Sequence, residues 1–317
     1  MTITTPTTDD IRYAPHLQTK LAYWENSVRD DGGNACFVFF HGGGWDLYDR
    51  YRFRFAGVNG YAWAYYLLNL AASDTIHWDF ISCDYRMISY GSPSPTYSAQ
   101  KQSYPSYFPD AFEDCDRAIQ YVFDNASTFD VNPNRIFAGG VSAGSQMTMV
   151  NALRRSAPYM KTAWAPKRWM PKSSSAVRGI LNTWGPIDCR VTDGVQQILW
   201  TSYQSLFGIT SSTEFDAIPN HVLASASPLA YLESGVMDAT PAGIYSVYYD
   251  TGSQSHTHPY TDPHDSQQGI DLHAKLVELG IASEYEETNW EDHVAGVPTA
   301  ASQATSARAK AFLEGLL

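Results

Sequence analysis

Two glycine-rich phrases carry the residues whose types and spacing could do chemistry. Gly140-Val141-Ser142-Ala143-Gly144 sets a serine between two glycines, and His41-Gly42-Gly43-Gly44-Trp45 stands well ahead of it in the chain. A serine hydroxyl attacks a carbonyl when a neighbouring base takes its proton. Glycines two residues to either side allow a strained strand-to-helix turn without side-chain clashes. Bare glycine amides can face the oxygen that turns negative during the attack. Ser142 is therefore the candidate nucleophile, placed where the dipole of a following helix favours negative charge. Gly43 and Gly44 are the candidate oxyanion donors, and the amide of Ala143, directly after the serine, is the third. His41 precedes these donors on the same strand end and reads as a residue that orients the loop. Trp45 reads either as a pocket wall or as simple packing.

Such groups need a scaffold, and the pattern around them alternates strand and helix. The apolar run Ala35–Phe40 ends in the histidine–glycine phrase, and the brief run Arg135–Gly139 leads into the serine phrase. Phe80–Tyr85, Gly179–Thr183, Ile244–Tyr249 and Ser283–Glu287 are further strand candidates. Apolar residues at three- and four-residue steps predict a helix over Asp110–Asn125, with Asp110 and Glu113 at capping-box spacing. Helices are also expected over Val58–Ala72, Ala143–Arg154, Gln267–Leu279 (closed by Gly280) and Ala300–Leu317. Strand–helix alternation of this kind predicts an α/β fold, a mostly parallel central sheet with helices on both faces. Residues 89–108, 157–175 and 188–228 break the rhythm and read as cap or lid insertions in a single domain spanning 1–317.

Bulk properties narrow the partners. The 317 residues are 44% hydrophobic and 14% aromatic, enough for a large core. A net charge of −12 would be repelled by nucleic acid and by anionic membranes, so neither is an expected partner. The segment Met1–Asp10 has no apolar leader and no run reaches membrane-spanning length, which gives a cytoplasmic expectation with no stable membrane anchoring. Cys36, Cys83, Cys115 and Cys189 are scattered without metal or redox spacing; Cys36 and Cys83 read as buried thiols. Homo-oligomerisation is left open.

Taken together the residues resemble the hormone-sensitive-lipase-like branch of the α/β-hydrolase family, with its smaller feruloyl-esterase-like and carboxylesterase-like relatives. Beyond the two phrases, the resemblance rests on Asp84-Tyr85-Arg86, Pro109–Asp114, Asn132-Pro133-Asn134-Arg135-Ile136 and Ala226-Ser227-Pro228-Leu229. Three departures stand out, one of them a longer loop between the strand ending near Asp250 and the expected acid position. Met87-Ile88-Ser89-Tyr90 replaces the usual continuation after Asp-Tyr-Arg, and Ser145 stands where many relatives have another glycine.

The resemblance implies an α/β-hydrolase fold and the chain order serine, acid, histidine. His293, in Trp290-Glu291-Asp292-His293-Val294-Ala295-Gly296, falls in a loop before the last helix and is the expected base. His273 falls inside a helical pattern instead. Asp262-Pro263 resembles the family's Asp-Pro turn, so Asp262 is the expected acid, which would fix the imidazole tautomer. Asp265 is a rival that reads better as a helix N-cap, and Asp250 is a second rival nearer the strand end. His256, His258 and His264 gather in the same loop with Asp262 and Asp265. Such a set could bind zinc, but without helical His-x-x-x-His spacing it reads as a solvated polar loop, so no metal is expected.

The implied activity is that of a serine carboxylesterase acting through an acyl-enzyme on short-chain or aromatic acyl esters, its partner a small-molecule ester and its cofactors none. Trp45 and Trp184 are the candidate substrate-binding residues, with Trp200, Tyr203 and Phe207 in the lid insertion behind them. The same triad would serve an amidase or arylformamidase. A non-catalytic binding protein on this fold is the more distant alternative.

Overall fold

The computed structural model describes residues 5–45, 49–51, 75–87, 108–153, 177–192, 195–196, 203–234, 241–250, 264–289 and 300–317. The expected helix Val58–Ala72, residues 89–107 and 157–175 of the insertions, and both Asp262 and His293 lie outside the described residues.

Strands β1 (Thr8–Arg12), β2 (Lys20–Trp24), β3 (Asn34–Phe40), β4 (Trp78–Cys83), β5 (Val131–Val141), β6 (Val177–Thr183), β9 (Gly243–Asp250) and β10 (Ala282–Asn289) form one sheet in the order β1-β2-β4-β3-β5-β6-β9-β10. The pairs from β4 to β10 are parallel, and β1 and β2 add an antiparallel edge. An antiparallel pair, β7 (Val191–Thr192) and β8 (Val195–Gln196), stands apart from it.

The interior strands are apolar on both faces because helices cover both. Every residue of β3 and of β4 is buried. Alternation divides them between two cores. Cys36, Val38 and Phe40 join the core on one face, while Phe37, Phe39 and Phe80 join the other, beside Ala309 and Leu313 of the C-terminal helix. Each of these buried phenylalanines contributes roughly 1.5–3 kcal/mol relative to an exposed side chain. All four cysteines are buried free thiols.

The helices are α1 (Asp110–Asp124), α2 (Ala126–Phe129), α3 (Ala143–Leu153), α4 (Gln204–Phe207), α5 (Ser212–Asp216), α6 (Asn220–Ser225), α7 (Pro228–Glu233), α8 (Ser266–Glu278) and α9 (Ala300–Gly315). The expected capping box on α1 does not form. Pro109 occupies the N-cap and offers no capping side chain. Arg86 instead takes the Asp110 carboxylate at 2.9 Å, and Arg117 takes Glu113 at 3.0 Å. Asp265 does cap α8, accepting from the Gln267 amide at 3.0 Å, and Gly280 follows the helix at φ +71°.

Strand order fixes where a ligand can approach. The chain runs from β3 to β4 on one side and resumes at β5 on the other side of β3, so the connections leave β3 in opposite directions. A crevice opens at the carboxyl ends of strands flanking such a switch point. Among the described residues, no helix is long and apolar enough to cross a membrane.

Candidate active site

Register brings the two glycine phrases together. Phe40, the last residue of β3, pairs with Gly140 of β5, so the residues that follow each strand leave the sheet side by side. On the other flank Val141 pairs with Thr183 of β6, which pairs in turn with Val247 of β9.

Ser142 sits at φ +52°, a left-handed conformation that costs roughly 1–2 kcal/mol for a residue with a Cβ. Backbone bonds hold it there. Its N–H donates to Thr183 O at 2.8 Å, and its carbonyl accepts from Gln146 N at 3.0 Å. The flanking glycines are required by close approach. A Cβ on Gly144 would lie 2.1 Å from Phe40 O, and one on Gly140 would lie 2.4 Å from the same oxygen. Ser145, the departure from the family pattern, gains a role here. Its hydroxyl donates to Gly140 O at 2.5 Å and accepts from Thr183 N at 2.8 Å, tying the turn to β6.

The histidine–glycine loop faces this turn. Gly43 and Gly44 take φ of +102° and +59°. The neighbouring Gly42 lies so close to the serine that a Cβ on it would be 3.3 Å from Ser142 Cβ. Ala143 opens α3, so its amide is among the first-turn N–H groups that the helix itself leaves without an acceptor. His41 is buried beneath the loop, stacked on Tyr85 with ring centroids 4.3 Å apart. A carbonyl can only accept, so His41 Nδ1 carries a proton and donates it to Gly42 O at 2.8 Å. Tyr85 OH donates to His41 O at 2.9 Å. His41 thus shapes the loop, as its place in the chain suggests. Tyr85→Phe removes that brace. The expected cost is about 1 kcal/mol of stability, together with a lower kcat as the glycine loop loosens. Thermal unfolding and steady-state kinetics on the same sample check both, and an unchanged kcat would show that the loop holds its shape without the hydroxyl.

Arg50, a few residues further along the chain, is held to the end of β4. Its N–H donates to Asp84 Oδ1 at 2.6 Å, its guanidinium contacts the other oxygen of Asp84, and its carbonyl accepts from Ser82 Oγ at 2.6 Å. Burial pushes the Asp84 carboxyl up to about 6 against the opposing pull of Arg50.

The imidazole beside the Ser142 hydroxyl is His264. Its Nε2 lies 2.8 Å from Ser142 Oγ. Sequence reasoning assigns His264 to a solvated polar loop; the structure sets it just ahead of α8, at the hydroxyl, while His293, the expected base, lies outside the described residues. The indole of Trp184 stands edge-on to its ring at 6.0 Å, and Trp184 is fixed at φ +54° with its N–H donating to Val247 O at 3.0 Å. The start of α8 is held in turn. Gln268 Oε1 accepts from Ile187 N at 2.8 Å, and Leu229 N donates to Ile187 O at 2.9 Å. The Ala226-Ser227-Pro228-Leu229 stretch completes this lattice, with Ala226 O accepting from Gln146 Nε2 at 2.7 Å and Ser227 Oγ from Cys189 N at 2.8 Å. Burial raises the Cys189 thiol to about 12, which leaves it a packing group.

Trp45 is buried at φ +61°, with its ring 5.9 Å from Tyr203, and Phe207 lies 6.1 Å beyond Tyr203. Among the described residues no group of three or more His, Cys, Asp or Glu is arranged to hold a metal ion. His256, His258 and Asp262 lie outside those residues.

A parallel sheet with a tight serine turn at one strand end and a glycine loop at the next defines the α/β-hydrolase class. Within it the chain belongs to the BD-FAE family, whose model matches residues 27–242. That match takes in both glycine phrases and closes ahead of Asp262, His264 and His293. The chain is 30% identical, over 121 residues, to an AB hydrolase superfamily protein of Schizosaccharomyces pombe. The matched part is 38% of this chain and about a quarter (27%) of that relative's length. Esterase 2 of Thermogutta terrifontis, solved phosphonylated by sarin, superposes at a TM-score of 0.66 with 16% identity, covering 100% of this chain and 96% of its own. A truncated carbohydrate esterase from gut microbiota gives 0.64 at 15% identity, covering 98% and 97%. Esterase B from Lactobacillus Rhamnosis (HN001) gives 0.63 at 12% identity, covering 98% of this chain and 87% of its own. At these identities the likeness is one of fold.

Proposed function

We propose that the protein is a serine carboxylesterase, hydrolysing small esters through an acyl-enzyme with Ser142 as nucleophile. One observation carries this reading: a serine on a strained strand-to-helix turn, with an imidazole nitrogen 2.8 Å from its hydroxyl and a glycine loop against it. Ser142 Oγ attacks the ester carbonyl and its proton passes to an imidazole. The amides of Gly43, Gly44 and Ala143 stabilise the oxyanion, a contribution of about 10²–10³ in rate for each donor in comparable sites. The imidazole then protonates the departing alcohol, and water repeats the sequence to free the acid. Family membership and structural neighbours that are esterases support the same class.

Two imidazoles compete for the proton. Chain order proposes His293, oriented by Asp262. Contact with the hydroxyl proposes His264. No step requires a cofactor or a metal.

For substrate, Trp45, packed on Tyr203, and Trp184, edge-on to His264, are the proposed acyl-pocket wall, which would favour short acyl chains or planar aromatic acyl groups. With p-nitrophenyl acetate, butyrate and palmitate, kcat/KM is expected to fall from the short esters to palmitate. A preference for palmitate would exclude a closed acyl pocket. Faster turnover of formylated amines than of any ester would move the enzyme to the amidases.

A further inference from the structure

A cavity of about 260 Å³ lies beside His41, beyond the end of β4. It reaches from buried His41 and Tyr85 to exposed Leu17 and Asp10, along the segment that joins β1 to β2. Ser142, Gly43, Gly44, Ala143 and His264 are not among the described residues on its wall. We propose that this cavity binds a small neutral polyol of monosaccharide size, next to the glycine loop.

Three observations set the chemistry of the ligand. The first is charge. Asp10, Asp49 and Asp84 share the wall with Lys20 and Arg50, so an anion would meet three carboxylates. Arg50 does not serve as an anion receptor, because its guanidinium already holds Asp84, Asp9 at 3.0 Å, Asp10 at 2.5 Å and the Tyr51 hydroxyl at 3.1 Å. A cation would meet Arg50 and Lys20, and among the described residues no three acidic groups are arranged for a metal ion.

The second is hydrogen bonding. Lys20 Nζ gives one of its N–H donors to Asp10, at 2.8 Å, and an ammonium has more than one to offer. Among the described residues Asp10 and Asp84 each accept two side-chain bonds, against about four lone-pair sites on an ionised carboxylate. A hydroxyl can accept from the ammonium and donate to a carboxylate, and it brings no charge. The third is size and lining. The volume falls just below the roughly 300–1,000 Å³ of pockets for drug-sized ligands. Leu17 and Met87 offer apolar surface to the C–H groups of a polyol.

Position gives occupancy a consequence. His41, on the cavity wall, is also the residue whose ring holds Gly42 O and whose carbonyl takes the Tyr85 hydroxyl. A polyol there is either the alcohol half of an ester or a separate effector, and both sources present the same hydroxyls.

Titration calorimetry of the full chain with glucose and myo-inositol tests the site, with inorganic phosphate and putrescine as charged comparisons. The expected Kd for a polyol of a dozen heavy atoms is about 1–10 mM. Leu17→Trp fills the cavity from an exposed position, and Asp10→Asn removes a carboxylate at φ +56°, a conformation that asparagine accepts. Each variant should stay folded by its thermal midpoint and bind polyol at least about 5-fold more weakly, while Ser142→Ala binds as wild type does. Kinetics separate the two sources. For an alcohol half, Leu17→Trp raises KM for 6-O-acetylglucose about 5-fold and leaves p-nitrophenyl acetate unchanged. For an effector, glucose changes p-nitrophenyl acetate turnover about 2-fold in wild type and not in Leu17→Trp. The inference is overturned if wild type shows no saturable polyol binding up to about 100 mM, or if both cavity variants bind as wild type does. It is equally overturned if phosphate or putrescine binds more tightly than either polyol, or if an active esterase shows neither kinetic change. Failure of the esterase reading looks different: no ester is turned over, and calorimetry still reports on the cavity.

Discussion

Ser142→Ala is expected to lower kcat for p-nitrophenyl acetate by about 10⁴–10⁶-fold, the range seen when a triad serine is removed. The fold should survive the change. The bonds that hold residue 142 come from its backbone, to Thr183 O and from Gln146 N, and alanine keeps both. Its Cβ also leaves the strain at φ +52° as it was. What is lost is one hydrogen bond to His264, worth about 1 kcal/mol. The thermal midpoint should therefore move little while turnover collapses. A folded variant that keeps a tenth or more of the wild-type rate would show that another group attacks the ester.

The second large effect concerns folding. Gly144→Ala should cost more than about 3 kcal/mol, beyond the usual price of overpacking. A methyl group at 144 would stand 2.1 Å from Phe40 O, 2.6 Å from Phe40 C and 2.7 Å from His41 O. All three are backbone atoms at the end of β3, so relief requires moving β3 away from the serine turn. Gly44→Ala is the natural control. It has nothing within 4 Å of the new methyl but keeps φ at +59°, so it should cost about 1 kcal/mol from backbone strain alone. Urea titrations of the two variants would separate crowding from conformation. Equal losses would mean that the close approach at Phe40 is readily relieved.

Much of the scaffold is visible in the chain. The runs at 35–40 and 135–139 become the interior strands β3 and β5 because a strand covered on both faces is apolar throughout, and that signal is local. The same holds for the cap at Asp265, where a short acidic side chain directly precedes a helical pattern. Less visible are β1 and β2. β1 is polar and largely exposed, and the pairing that makes it a strand is with another segment of chain. The capping box on α1 fails for a related reason. Spacing alone cannot show that Arg86, arriving from the end of β4, and Arg117 will claim the two carboxylates. Ser145 is similar: a departure from the family pattern becomes intelligible only once Gly140 O and Thr183 N are seen on either side of its hydroxyl.

By itself the amino-acid order determines the serine turn and the glycine loop, since both depend on residue types within five positions of one another. It also determines that they share one end of a parallel sheet, because alternating strands and helices leave few other arrangements. Which imidazole meets the hydroxyl is decided elsewhere. Residues 142 and 264 are 122 positions apart, and their contact depends on β5, β6 and β9 being neighbours and on where α8 begins beside them. Counting along a chain measures contour length, whereas proton transfer depends on the distance through space that packing alone sets.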